Sequence, residues 1–115
     1  MSVYQPDTWN VVRIAGPTGD DSTIDKVFGC WVGGYLDGDS WRMNSGIVQV
    51  REYPEVYDFV GTTGSVYICR KDGEGVRGYG AMVLQAMQRE AEKRDHTITI
   101  IPATDVEVTD DRPPE

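Results

Sequence analysis

A chain of 115 residues that is 39% apolar, with three Trp and six Tyr, holds enough nonpolar surface for one domain with its own core, which excludes a disordered chain. The net charge of −8 sits at the two ends: residues 1–39 carry six acids against two bases, and residues 95–115 carry six against one. Direct nucleic-acid binding is therefore disfavoured, since it needs a basic face to displace counterions, and no apolar run approaches the length of a bilayer span.

The opening MSVYQPDTWN has neither a basic nor an apolar export region, so a cytoplasmic protein is expected. Trp9 to Ala15 (WNVVRIA) reads as a first strand, closed by Gly16-Pro17 and the polar stretch TGDDST at 18–23. Ile24 to Leu36 reads as a second strand, with Gly29, Gly33 and Gly34 pointing to a bulge or sharp coiling. Asp37-Gly38-Asp39 is a turn, Ser40 to Met43 begins another strand, and Asn44-Ser45-Gly46 breaks it. Ile47 to Glu52 and Val56 to Val60 form a hairpin around Tyr53-Pro54-Glu55, and Gly61-Thr62-Thr63-Gly64 turns into a strand from Ser65 to Lys71.

Only Tyr79 to Arg94 has helical spacing. Tyr79, Val83, Ala86 and Met87 share a face that Leu84 and Ala91 widen, and basic residues close the last turn. Thr97 to Ile101 (TITII) is a final strand, stopped by Pro102. The expected fold class is α+β: a curved antiparallel β-meander of five to six short strands, with one helix packed on it and a last strand. Residues 1–104 form the single domain, and 105–115 form an acidic, flexible tail. Cys30 and Cys69 lie in apolar strand-like runs and read as buried free thiols in a reducing compartment.

Chemistry-bearing patterns are few. Gly73-x-Gly75-x-x-Gly78 follows a strand and opens a helix, as a dinucleotide-binding turn does. However, Asp95 precedes the next strand instead of ending it, and no Lys-Ser/Thr pair completes a Walker A loop. Arg70, Lys71 and Arg77, with the amides of Gly75, Gly78 and Gly80, form a candidate anion-binding corner, offset by Asp72 and Glu74. The other reading of these glycines is a sharp reversal between sheet and helix. His96 is the only histidine, so neither Ser-His or Cys-His catalysis nor a zinc site of familiar spacing is supported. Asp37-Gly38-Asp39-Ser40 opens like a calcium loop, but Trp41 at the fifth position and the lack of Glu at the twelfth reject it. No catalytic residue, cofactor or metal is expected, and the chain reads as a non-enzyme.

Two resemblances follow from longer stretches. The run VRGYGAMVLQAMQREAEKR resembles the acyl-CoA loop and helix of the GNAT acetyltransferases, whose Gly-x-Gly spacing Gly78 and Gly80 match. That likeness implies an acyl-CoA-dependent transferase, although Gly75 stands where the family has Arg or Gln. SWRMNSGIVQV, FVGTTGSVYICRK and GYGAMVL together are similar, over about half the chain, to small proteins of bacteriophages and related mobile elements. That second likeness implies an accessory protein acting on a host component. Trp41, Asn44 and Ser45 become candidates to line a surface, although a Trp in such a strand is more often core.

The leading expectation is a non-enzymatic acidic binding protein that inhibits a host defence protein by occupying a basic nucleic-acid-binding surface. Its partner would be a basic host protein or nucleoprotein complex. Asp20, Asp21, Asp25, Asp37 and Asp39 would supply the contact, with Asp105, Glu107, Asp110 and Asp111 behind. The alternative is a small-ligand protein holding a nucleotide or other anion at the Gly73–Gly80 loop. Oligomeric state stays open, since the exposed edges of a short meander invite pairing into a homodimer.

Overall fold

The computed structural model describes residues 2–17, 19–33 and 39–107. Eight strands and one α-helix run through them in chain order: β1 (Val3–Tyr4), β2 (Thr8–Gly16), β3 (Gly19–Trp31), β4 (Ser40–Met43), β5 (Ile47–Glu52), β6 (Val56–Gly61), β7 (Val66–Arg70), α1 (Gly78–Glu92) and β8 (Thr97–Ile101). The fold class is α+β. The strands divide into two four-stranded sheets, ordered β1-β7-β6-β5 and β4-β3-β2-β8, where a single curved meander was expected. All pairings are antiparallel except that of β1 with β7.

Local chemistry explains the division. Gly46 takes φ +130°, a conformation open to glycine, and there the chain leaves the second sheet for the first. The stretch TGDDST, expected as a turn, is mostly strand, because β2 and β3 continue to pair as far as Gly16 and Gly19. Nor does Gly29 make a bulge. The register of β2 and β3 runs evenly past it, and its missing side chain makes room for Pro6, whose Cβ would lie 3.0 Å from an added Cβ. β3 ends at Trp31: the predicted continuation fails at Val32 and Gly33, which belong to no strand, and its remainder to Leu36 falls outside the described residues.

The two sheets pack face to face around Trp9, Val11 and Val27 from the second and Ile47, Tyr57, Phe59, Tyr67 and Cys69 from the first. Trp9 meets Phe59 at 5.4 Å and Tyr57 at 6.0 Å between ring centroids, within the range where aromatic pairs attract beyond simple area burial. A bulge at Val48 moves the inward parity of β5 from Ile47 to Val50, so both ends of that strand still feed the core. The second sheet is covered on its other face as well, by α1. That is why Trp9, Asn10, Val11 and Val12 are all buried in succession, where a one-faced strand would alternate.

Beside this core, Arg13 and Asp25 are register partners on β2 and β3 and form a two-pronged ion pair at 2.8 and 3.0 Å. The Asp25 carboxylate raises the Arg13 pKa further above its ordinary value, chiefly through their hydrogen bond. Asp25 also accepts the backbone N–H of Glu107 at 2.7 Å, and Arg13 donates to the carbonyl of Asp105 at 3.1 Å. The start of the predicted free tail is thus fastened to the sandwich through Glu107. No helix among the described residues is long and apolar enough to cross a membrane.

Candidate functional site

After β7 the chain passes around the end of β2 to reach the far side of the second sheet. Trp9 Nε1 donates to the Arg70 carbonyl at 2.7 Å, the Gly75 N–H donates to the Trp9 carbonyl at 2.7 Å, and the Val76 N–H donates to Asn10 Oδ1 at 2.9 Å. Gly73 is required by close approach, since an added Cβ would lie 2.7 Å from the Asp7 carbonyl. Helix α1 then docks by its first turns. A Cβ at Gly80 would overlap Cys30 Sγ, and Leu84 is fully buried with Val12, Phe28 and Cys30.

Further along, the helix and sheet do not close on one another. Val83 and Met87 are only half-buried, and Ala86 is exposed. A groove of about 680 Å³ runs between α1 and the sheet. Val83, Ala86, Met87 and Ala91 form its helical side, Trp41 and Met43 of β4 the opposite side, and Ile14 and Ile98 also line it. Trp41 stacks on Phe28 at 5.5 Å yet remains 40% exposed. Glu90, Arg94 and His96 supply the polar lining. They are positioned by the helix end, where Asp95 adopts φ +60° and the His96 N–H reaches back to the Ala91 carbonyl at 2.9 Å. Glu90 pairs with Lys93 at 3.1 Å, and His96 Nδ1 lies 2.8 Å from the Arg94 carbonyl.

The thiols next to these layers are unreactive by placement. Burial pushes Cys30 up to about 11, with Asp39 adding to the effect, and burial drives Cys69 higher still. Both are protonated near neutrality, so neither is a ready nucleophile. Among the described residues no group of three His, Cys, Asp or Glu side chains could hold a metal ion.

The residues singled out from sequence fall into different places. Around the glycine loop, Arg70 pairs with Asp72 at 2.8 Å and Lys71 with Glu52 at 2.6 Å. Arg77 precedes the helix in extended conformation, and Gly75 and Gly78 take φ +117° and +55°. Gly80 is a packing contact. Two of the three cations are thus paired with acids and the Gly75 amide is engaged, and the loop carries the chain between layers. Of the acids, Asp25 corrects the expectation of a surface cluster: it is 2% exposed, because it must face Arg13 across the β2–β3 register. Asp39 is exposed and accepts the Gly33 N–H at 3.0 Å. The side chains of Asp20 and Asp21, and Asp37, Asp110 and Asp111 entirely, lie outside what is described.

Sequence reasoning did not identify the groove. Its signal was present in the width of the α1 stripe, which spans more apolar positions than one helix–sheet contact can cover. Comparison of the chain with protein-family models, with curated proteins and with solved structures finds no match in any of the three.

Proposed function

We propose that this protein is a non-enzymatic binding protein that takes an apolar segment of a basic partner protein into the groove between α1 and the second sheet. One observation carries the reading: the apolar stripe of α1 is wider than the surface beneath it. Gly80 and Leu84 seat the helix and Val83 and Met87 pack partly on the same cluster, while the outer sides of Val83 and Met87, with Ala86 and Ala91, line the groove opposite Trp41 and Met43. Tyr79 and Met82, both exposed, extend that stripe by a turn toward the helix start. Contiguous apolar surface of this kind marks interaction sites, and a half-exposed Trp is the commonest sort of anchor. The net charge of −8 supports a basic partner, because it speeds encounter and makes it salt-sensitive. Inhibition of a host protein is compatible with this reading, but it rests on the groove in place of the aspartate cluster, since Asp25 is buried.

The test uses an amphipathic Leu/Lys helical peptide and its Leu/Glu counterpart, titrated at low and high salt while backbone amide resonances are followed. Saturable shifts at residues 41–43 and 83–91 are expected, stronger with the Lys peptide and weakened by salt. Ala86→Asp, a change at an exposed helical position, should weaken binding at least tenfold without altering the melting temperature. Absence of saturable shifts at those residues, or unchanged binding by Ala86→Asp, overturns the reading. Equal binding of the Glu peptide removes the basic-partner part of it.

A further inference from the structure

The second feature lies on the opposite side of β4. Along that strand Trp41 and Met43 face the helix layer, so Arg42 and Asn44 face the first sheet. There they line a small, mostly polar pocket of about 190 Å³ with Tyr4, Ser45, Ser65 and Tyr67, and Met43 lines it as well. The Asn44 side chain is 95% buried, its residue being 5% exposed. Its Oδ1 is occupied, accepting the N–H of Val27 at 2.9 Å and of Gly46 at 3.4 Å. Its Nδ2 has no partner, the one such buried side-chain atom among the described residues. A buried donor left unpaired is costly, so its retention calls for an acceptor. Gly61 keeps the adjoining space clear: an added Cβ there would stand 3.4 Å from Asn44 Nδ2 and 3.2 Å from Ser45 Oγ.

Other groups that line the pocket are donors as well. Arg42 makes no ion pair among the described residues; its guanidinium lies 4.6 Å above the Tyr4 ring, which leaves the N–H edge free in its own plane. Ser45 Oγ accepts from Thr62 Oγ1 at 2.6 Å and from the Thr63 N–H at 3.3 Å, which turns its own proton away from both. Burial pushes the Tyr67 hydroxyl up to about 12 against the opposing influence of Arg42, so it stays protonated and able to donate. No carboxylate lines this pocket, although the chain as a whole is strongly acidic.

From this convergence of a cation with no ion pair among the described residues, an orphaned buried amide and hydroxyl groups, we propose that the pocket between β4 and the first sheet binds a small oxyanion, a carboxylate or phosphate group. A planar fork from Arg42 and a second donor from Asn44 suit two oxygens of one group. The apolar groove lies across the same strand, and Met43 lines both cavities.

Titration with sodium acetate, with inorganic phosphate and with neutral acetamide, each followed by amide resonances, tests it. Saturable shifts at residues 42–45 and 65–67 with acetate or phosphate, and none with acetamide, are expected. Which anion saturates first tells carboxylate from phosphate recognition. Arg42→Gln, at an exposed edge position, should keep the fold and lose at least tenfold in affinity. Asn44→Asp preserves the acceptor for Val27 and Gly46 but places a carboxylate in the pocket, and should abolish anion binding. Flat titrations with both anions, as from a pocket holding only water, overturn the proposal. So does an Arg42→Gln variant that binds as tightly as the parent.

Discussion

The second sheet is packed on both faces, yet the two interfaces are built differently. Toward the first sheet it meets Tyr57 and Phe59, large rings that interlock with Trp9, and the buried Tyr67, and it opens only at the small pocket beside β4. Toward the helix it meets Gly80 and Leu84 closely, Val83 and Met87 only in part, and Gln88 through one hydrogen bond to the Ile98 carbonyl, with a groove open along one side. Two curved sheets can follow one another's twist, whereas a straight rod laid on a twisted sheet stays in contact over only part of its length. Stability is therefore concentrated in the first interface and accessible apolar surface in the second.

Truncation should expose that division most strongly. Phe59→Ala is expected to cost about 3–5 kcal/mol in urea unfolding, since its site is sealed by neighbouring rings. Leu84→Ala should cost nearer 2–3 kcal/mol, because the helix beside an open groove can settle into the space. Equal losses at the two positions would mean that the helix interface is as tightly packed as the sandwich.

A smaller effect probes where the helix touches. Gly80→Ala gains about 1 kcal/mol in helix propensity but forces a methyl into Cys30 Sγ, and overpacking of about 1–3 kcal/mol should win. Combining it with Cys30→Ala should recover much of the loss, and a double-mutant cycle measures the coupling. Additive effects would place the helix farther from β3 than described.

The smallest effect is one of pH. The Cys30 thiol is raised from an ordinary 9.0 to about 11, so the unfolded chain releases that proton first as the pH rises. Stability contributed by the neutral thiol is complete below about pH 9 and disappears as the pH passes through about 11. Tyr67 should add a further decline between 10 and about 12. Chemical denaturation at stepped alkaline pH should show the slope, and Cys30→Ala should make it shallower between about pH 9 and 11, where the buried Cys69 continues to contribute.

Much of the secondary structure was readable directly. Ile47–Glu52, Val66–Arg70 and Thr97–Ile101 are bounded by turn residues and lie within a residue or so of where they were expected, and α1 begins and ends close to its periodic run. What could not be read was which strands share a sheet. Alternation states that one face is buried, but not against what, and the doubly buried run Trp9–Val12 has no alternation at all. Asp25 looked like one more surface acid because Arg13 is twelve residues away, and only the hairpin register brings the two together. The groove escaped notice for a similar reason: Trp41 and Met87 are far apart in the chain, and their separation across a gap depends on how a helix meets a twisted sheet.

Strand β4 has a single neighbour in its sheet and only four residues, but it contributes side chains to both cavities. Because successive residues point oppositely, a deletion or insertion of one residue between Ser40 and Asn44 would exchange the indole for the guanidinium, emptying both cavities in one event. The two are thus inherited as a unit: drift that preserves one constrains the other, and any descendant that loses the strand's phase forfeits both together.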